Sequence, residues 1–295
     1  MRKFENWTVA YRRRKKCGTL LDDIGTPFIC IRNTWRYWCA DPHLFVYNQT
    51  TYVFAELYDR VLRRGVIGYC TLVENGPSPW KVALNMPFHL SYPHIIQKGN
   101  DIYMVPESYV ANEIAVYRAV SFPDRWEKVY ILKSDYCAVD TTFFSDDSHT
   151  YAFTFRFIDD TERLMLYSVD DRGFSDNGIC VSDGDSQMRP AGHLFRSDGA
   201  LYRPAQDCTE SYGCALNLYK LESSEPYKEI LEKKITPDMI NSDLGRKAEG
   251  IHTYNMSDEF EVIDLKGYET DIWFYVMRPV WFIWRRVKRI FSHRR

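Results

Sequence analysis

ADPHLF at residues 40–45 returns as SYPHII at 91–96, VDTTFF at 139–144 and PAGHLF at 190–195, and this recurrence decides the fold. Asp41, Tyr92, Asp140 and Ala191 hold the same place in the four copies, at steps of 51, 48 and 51 residues. A second apolar run ends fifteen residues further on each time, at Glu56, Glu107, Phe155 and Gln206. A third follows as VIGYCTL (66–72), EIAVYRA (113–119), RLMLYSV (163–169) and ALNLYKL (215–221). Short alternating or continuously apolar runs bounded by polar turn residues read as strands. A multi-strand unit repeating about every fifty residues is the mark of a propeller blade.

Between the first and second runs stand Asn48-Gln49, Lys98-Gly99-Asn100-Asp101, Asp146-Asp147-Ser148 and Ser197-Asp198-Gly199. These are tight-hairpin residues, so the pairing is expected to be antiparallel. GIHTYNMSDEFEVIDL (250–265) opens a fifth copy but supplies only two strands, while NWTVAYRR (6–13) resembles the third strand of the other copies. The N-terminus is therefore expected to complete the last blade and close the ring, leaving no open sheet edge. ENGPSPWKV (74–82) and SFPDRWEKV (121–129) read as outer fourth strands, and residues 222–249 as a helical or irregular elaboration between blades four and five. The expected architecture is all-β, a five-bladed propeller closed by its terminal strands over residues 1–268, followed by a basic, aromatic amphipathic helix over 269–295.

The composition fits that class. Aromatic residues make up 16% of the 295, which suits a strand-rich core and also suits ring faces that stack on sugars. A net charge of −2 argues against a general nucleic-acid surface. Cations gather at the ends instead, in the run from Arg12 to Lys16 and in Arg278, Arg285, Arg286, Lys288, Arg289, Arg294 and Arg295, so the ends read as membrane-facing or anion-facing. The eight cysteines are scattered singly, with no metal-binding spacing, and are expected to be reduced. No secretory h-region opens the chain, which makes a cytoplasmic protein the expectation, and three Asn-x-Ser/Thr triplets carry weight only in a secretory compartment. Neither a cofactor nor a metal site is indicated.

In a propeller the start of each innermost strand and the end of the next one face a common mouth. Here that set holds Asp41, Tyr92, Asp140, Ala191 and His252, with Glu56, Glu107, Phe155 and Gln206. Two aspartates and two glutamates can divide acid, base and electrostatic roles if their environments separate their pKa values. Alternatively, Asp41 and Asp140 only bond backbone at the blade starts. Blade four brings Arg189, Arg203, Gln206 and Asp207, and Arg156 lies just past the second strand of blade three. The arginines suit a phosphate or carboxylate, or else pair structurally with Asp41 or Glu107. His252 is a candidate substrate contact. His43, His94 and His193 recur two residues into the inner strands, a regularity that favours packing over metal binding.

ADPHLF, HLSYPHII, MVPES, VDTTFF, RPAGHLF, YRPAQDC and GIHTYN together resemble the N-terminal domain of the plant glucosamine inositolphosphorylceramide transferase family and its bacterial stand-alone, family 43-like glycosyl hydrolase relatives. The likeness runs from about residue 38 to 256. It implies a five-bladed propeller and carbohydrate processing, although in the plant proteins the transferase chemistry is assigned to a separate C-terminal domain. Similarity to arabinanase and xylosidase propellers implies Asp41 as base, Glu107 as acid and Asp140 as an orienting carboxylate, with Asp41 alone matched by position.

DIWFYVMRPVWFIWRRVKRIFSHRR (271–295) is too short and too charged to span a bilayer. From Pro279 it reads as an amphipathic helix, with Trp281 and Trp284 at headgroup level and Arg285, Arg286, Lys288 and Arg289 toward anionic lipid, or as a helix docked on the propeller or a partner. The leading functional expectation is a sugar transferase of surface-glycan or glycolipid assembly. It would act on a lipid-linked or nucleotide-activated sugar at the inner face of a membrane, with Arg189 or Arg203 holding a phosphate. A glycoside hydrolase and a non-catalytic glycan-binding propeller are the alternatives.

Overall fold

The computed structural model describes residues 3–270, apart from 16–17, 75, 147–148, 171–172 and 176–177. Five antiparallel sheets stand around one axis. Blade 1 comprises Tyr37–Tyr47, Thr50–Asp59, Arg64–Val73 and Lys81–Leu84; blade 2 comprises Ser91–Lys98, Asp101–Glu107, Glu113–Ser121 and Arg125–Ser134. Blade 3 runs through Val139–Ser145, Thr150–Ile158, Thr161–Asp170 and Ile179–Asp183. In blade 4 the inner strand is split into Arg189–Pro190 and Phe195–Ser197, and is followed by Ala200–Asp207, Ala215–Ser224 and Tyr227–Ile235. Blade 5 takes Tyr254–Met256 and Phe260–Thr270 from the C-terminal side, and Lys3–Arg13 and Ile29–Cys30 from the N-terminal side.

The ring thus closes as the repeat implied. Lys3–Arg13 pairs with Phe260–Thr270 over its whole length, from Lys3 opposite Thr270 to Arg13 opposite Phe260. The hairpins also match their residues: Asn48 and Gln49 both have positive φ, as do Asp198 and Gly199, which is the twist-matched two-residue connection. Packing follows from the blades' geometry. Five hydrophobic clusters occur among the described residues, each between two neighbouring blades; Val9, Val262, Leu57 and Cys70 join blades 5 and 1, and Phe54, Tyr69, Met104 and Tyr117 join blades 1 and 2. Most aromatic rings belong to these clusters, as with Phe45, Tyr52, Phe54 and Trp126 around Phe122.

Two expectations are corrected. Of residues 222–249, expected to be helical or irregular, 236–249 is irregular apart from one short helical turn at Pro237–Met239, while Tyr227–Ile235 is instead the outer strand of blade 4, paired with Ala215–Ser224. Its exposed charges had masked a strand with one wet face. Within the basic run, Arg12 and Arg14 are likewise structural. Arg12 is buried, its Nε donating to Glu261 at 2.6 Å, Arg14 donates to the carbonyls of Gly18 and Ser257, and Lys15 pairs with Asp23. The expected C-terminal helix lies outside the described residues, as do Trp281, Trp284, Arg285, Arg286, Lys288 and Arg289. Among the described residues no helix is long and apolar enough to cross a membrane.

Candidate active site

Three blades enter the mouth through the same backbone device. Asp41, Tyr92 and Asp140 have φ of 51°, 43° and 51°, and the register of each inner strand slips at that residue. A bulge with one residue in the left-handed region breaks the alternation of side chains and re-aims them. In blade 4 the equivalent break falls at Gly192, φ 132°, where an added Cβ would lie 2.0 Å from the Tyr254 carbonyl oxygen. Glycine is required there.

Around the mouth lies a cleft of about 220 Å³ lined by Glu5, Trp7, Trp38, Ala40, Asp41, Glu56, Tyr58, His89, Ser91, Glu107, Arg189, Tyr212 and His252. Its volume sits below the usual range for drug-sized ligands. Trp38 and Tyr58 stack at its edge, with centroids 4.7 Å apart and planes 9° from parallel.

Asp41 is held from several sides. One carboxylate oxygen accepts from the Tyr92 amide at 3.3 Å, and the other from the Thr253 hydroxyl at 3.2 Å. The His252 Nε2 lies 3.6 Å from the same carboxylate. Burial raises the Asp41 pKa to about 6 against the pull of His252. His252 is fixed in turn by Asp264, 2.7 Å from its Nδ1. Asp264 also accepts from the amides of Asp41, His252 and Thr253, so its oxygens are fully engaged in orienting the loop. Although burial opposes a charged ring, Asp264 and Asp41 hold the His252 pKa above its ordinary value.

Across the cleft, Asp140 pairs with the Arg189 guanidinium and accepts from the Gln206 amide at 2.9 Å. Arg189 also approaches Glu107 at 3.8 Å. Burial, and then the neighbouring Asp140, push the Glu107 carboxyl well above its usual range, so it favours the protonated form. Glu56 is raised by burial and by Asp41, and faces the His89 Nε2 at 3.4 Å. The His89 Nδ1 accepts from the Gly65 amide, which leaves its proton on the nitrogen facing Glu56. A carboxylate poised to ionise, a carboxylate locked against a guanidinium and two carboxyls biased to protonation therefore share one small space.

The remaining sequence candidates divide plainly. Asp41, Glu56, Glu107, Arg189 and His252 line the cleft; Asp140 and Gln206 stand directly behind Arg189. Tyr92 serves the cleft through its amide, while its hydroxyl bonds Thr142 and the Gly192 amide inside the channel. Arg203 is away from the cleft: it forms two hydrogen bonds to Glu229 at 2.8 and 2.5 Å and a third to the Met188 carbonyl. Asp207 pairs with Lys234 at 2.7 Å, and Arg156 lies over the Tyr136 ring with its guanidinium carbon 3.9 Å from the centroid. These three are framework, because each charge finds its partner within its own blade or the adjoining loop. Trp7, Trp38, Tyr58, His89, Tyr212 and Asp264 were not anticipated; only the offset of one turn from the repeat markers could have pointed to Trp38 and Tyr58.

The fold is a five-bladed propeller, an architecture also seen in solved glycoside hydrolases. A family 62 α-L-arabinofuranosidase catalytic domain from Coprinopsis cinerea superposes with a TM-score of 0.60 at 11% identity, covering 81% of this chain and 95% of that one. A thermostable family-43 glycoside hydrolase gives 0.58 at 11% identity, covering 80% and 90%. At such identity the likeness concerns the fold alone. The particular family comes from sequence: the chain belongs to the glucosamine inositolphosphorylceramide transferase 1, N-terminal family, whose model matches residues 31–277. Relatives called glucosamine inositolphosphorylceramide transferase 1 are 35% identical over 207 residues in Oryza sativa subsp. indica and 32% over 206 in Arabidopsis thaliana, covering 65% of this chain in both cases. The chain spans about a quarter of those relatives, 27% and 26% of their lengths.

Proposed function

We propose that this propeller is a sugar transferase acting on a lipid-linked or nucleotide-activated sugar. The observation that carries the reading is the division of labour among the carboxyl groups around the cleft. Asp41, gripped by an amide, a hydroxyl and His252, serves as the base that takes the acceptor hydroxyl proton. Glu107, sheltered and next to Asp140, gives its proton to the departing oxygen. Asp140, buried behind Arg189 and anchored by Gln206, orients that guanidinium and raises the pKa of the neighbouring Glu107 rather than touching the sugar. Arg189 is the cleft's guanidinium and the contact for a phosphate on donor or carrier; Arg203 has no part in this, being spent on Glu229. The names of the relatives support transfer, and glucosamine and inositolphosphorylceramide are the first donor and acceptor types to test.

The basic aromatic stretch 271–295 would hold the protein on an anionic membrane beside such an acceptor. Its contribution is read by vesicle flotation of protein truncated after residue 270.

Hydrolysis is the second reading, favoured by the architecture shared with glycoside hydrolases and by the ion pairing that already occupies Arg189. The same acid and base would then serve a water molecule. Labelled nucleotide sugars and aryl glycosides, offered separately with and without membranes, decide between them. Transfer requires labelled lipid product that disappears in Asp41→Asn and Glu107→Gln. Free sugar released by the wild type but not by those variants supports hydrolysis, and turnover untouched by either substitution removes both readings.

A further inference from the structure

We propose that His43, His94 and His193 form a binding site for one divalent transition-metal ion of the zinc type in the central channel of the propeller. His43 and His94 stand in the inner strands of blades 1 and 2 and His193 in the break of the split inner strand of blade 4, each two residues past the place where Asp41, Tyr92 and Ala191 stand. The repeat thus puts three imidazoles at one level of the axis. One nitrogen from each ring lies within 4.8 Å of the others. The rings lie close to each other, with the His43 and His193 centroids 4.9 Å apart and those of His94 and His193 4.2 Å apart.

Packing alone leaves an anomaly. The Nε2 of His43, the Nδ1 of His94 and the Nε2 of His193 are buried with no hydrogen-bond partner. Buried polar atoms are nearly always satisfied, and three orphaned imidazole nitrogens within one cluster call for a shared partner. A cation is the partner that accepts three nitrogen lone pairs at once. The other nitrogen of His43 supplies independent support: Nδ1 stands 3.2 Å from the Asp41 carbonyl oxygen. A proton on Nδ1 donated to that carbonyl leaves Nε2 as a lone pair aimed inward, the arrangement by which metal-ligating histidines are oriented.

The chemistry of three neutral imidazoles, without a carboxylate or thiolate among them, selects a borderline ion such as Zn²⁺ over calcium or magnesium. Zinc–nitrogen bonds of about 2.0–2.1 Å require the rings to close in slightly, within the reach of side-chain rotation, and the fourth position falls to water. Asp41, Asp264 and His252 form a second cluster of suitable atoms, but their lone pairs are already spent on amides, a hydroxyl and one another.

The test uses the whole chain, stripped with chelator and reloaded with Zn²⁺ or Co²⁺, with bound metal measured by mass spectrometry after gel filtration. The expected result is about one ion per chain, with Co²⁺ giving a four-coordinate spectrum free of thiolate charge transfer. His94→Gln and His193→Gln, checked for fold by circular dichroism, should weaken binding by more than the roughly 10–100-fold that loss of an outer-shell partner costs. His252→Gln should leave stoichiometry unchanged. The proposal is overturned if the wild type retains no metal, if folded His94→Gln binds as tightly as wild type, if loss follows His252 instead, or if cobalt reports thiolate ligation.

Discussion

Trp7 lies flat on His252: the two rings are 3.7 Å apart between centroids and 10° from parallel. The indole comes from the first strand of the chain and the imidazole from the fifth blade, so ring closure and the cleft are built from one contact. Trp7 is 2% exposed and its neighbour Tyr212 meets both rings edge-on. Trp7→Ala should cost about 3–5 kcal/mol of stability, as expected for removing a buried tryptophan. It should also lower kcat by releasing His252. Denaturant unfolding and steady-state kinetics on one preparation check both, and a stable variant with normal kcat would contradict the coupling.

His252 gives the pH dependence of stability a definite sign. Its folded-state pKa is raised, so its contribution is present in full below the unfolded value of about 6.5 and is lost as pH rises through the folded value. His252→Gln should therefore flatten the fall in unfolding midpoint as pH rises above about 6.5. An unchanged slope would mean that other groups carry it.

As the proposed acid, Glu107 should govern the alkaline limb of activity. An acid held well above its ordinary pKa works while protonated, so turnover should decline as pH rises through that raised value. Glu107→Asp should keep this limb at reduced kcat, and Glu107→Gln should abolish it together with most turnover. A wild-type profile that stays level into the alkaline range would remove Glu107 as the acid.

Arg203 and Arg189 should separate stability from chemistry. Arg203→Ala strands Glu229 in the interior and should cost about 3–5 kcal/mol, whereas replacing both partners by apolar side chains of similar volume should recover most of it. Neither change should alter KM in the surviving folded fraction. Arg189→Lys should fold and lose activity, because one ammonium cannot serve Asp140 and Glu107 together.

Trp38 and Tyr58 offer a flat aromatic edge to the cleft. Removing either ring should weaken substrate binding by about 1 kcal/mol, roughly fivefold in KM, with little effect on kcat. A fall in kcat at constant KM would place these rings in the reaction itself rather than in binding.

The blades were legible because their signals are local and repeated. Two-residue turns such as Asn48-Gln49 and alternation such as TYVFAE survive in any context, and the missing third strand of the fifth copy pointed straight at NWTVAYRR. Tyr227–Ile235 escaped because an outer strand with one wet face, YKEILEKKI, carries the charges of a surface helix. Among site residues, those at the repeat positions could be placed from spacing. Arg203 and Asp207 flank the Gln206 marker, yet their partners Glu229 and Lys234 sit in the outer strand Tyr227–Ile235, whose charges hide it in the sequence. Trp7 and Asp264 reach the mouth through the pairing of the two chain ends, a relation between residues more than 250 apart that no local pattern contains.

The closing pair of strands also sets a direction. Phe260–Thr270 passes Asp264 at the level of the carboxylates, then Lys266 beside Trp7, then Tyr268 opposite Glu5, which lines the cleft, and ends at Thr270 opposite Lys3. The last described residue of the strand therefore stands on the face of the ring that carries the cleft. A membrane contact by residues 271–295, as proposed, would begin on the side of the ring that carries the carboxylates.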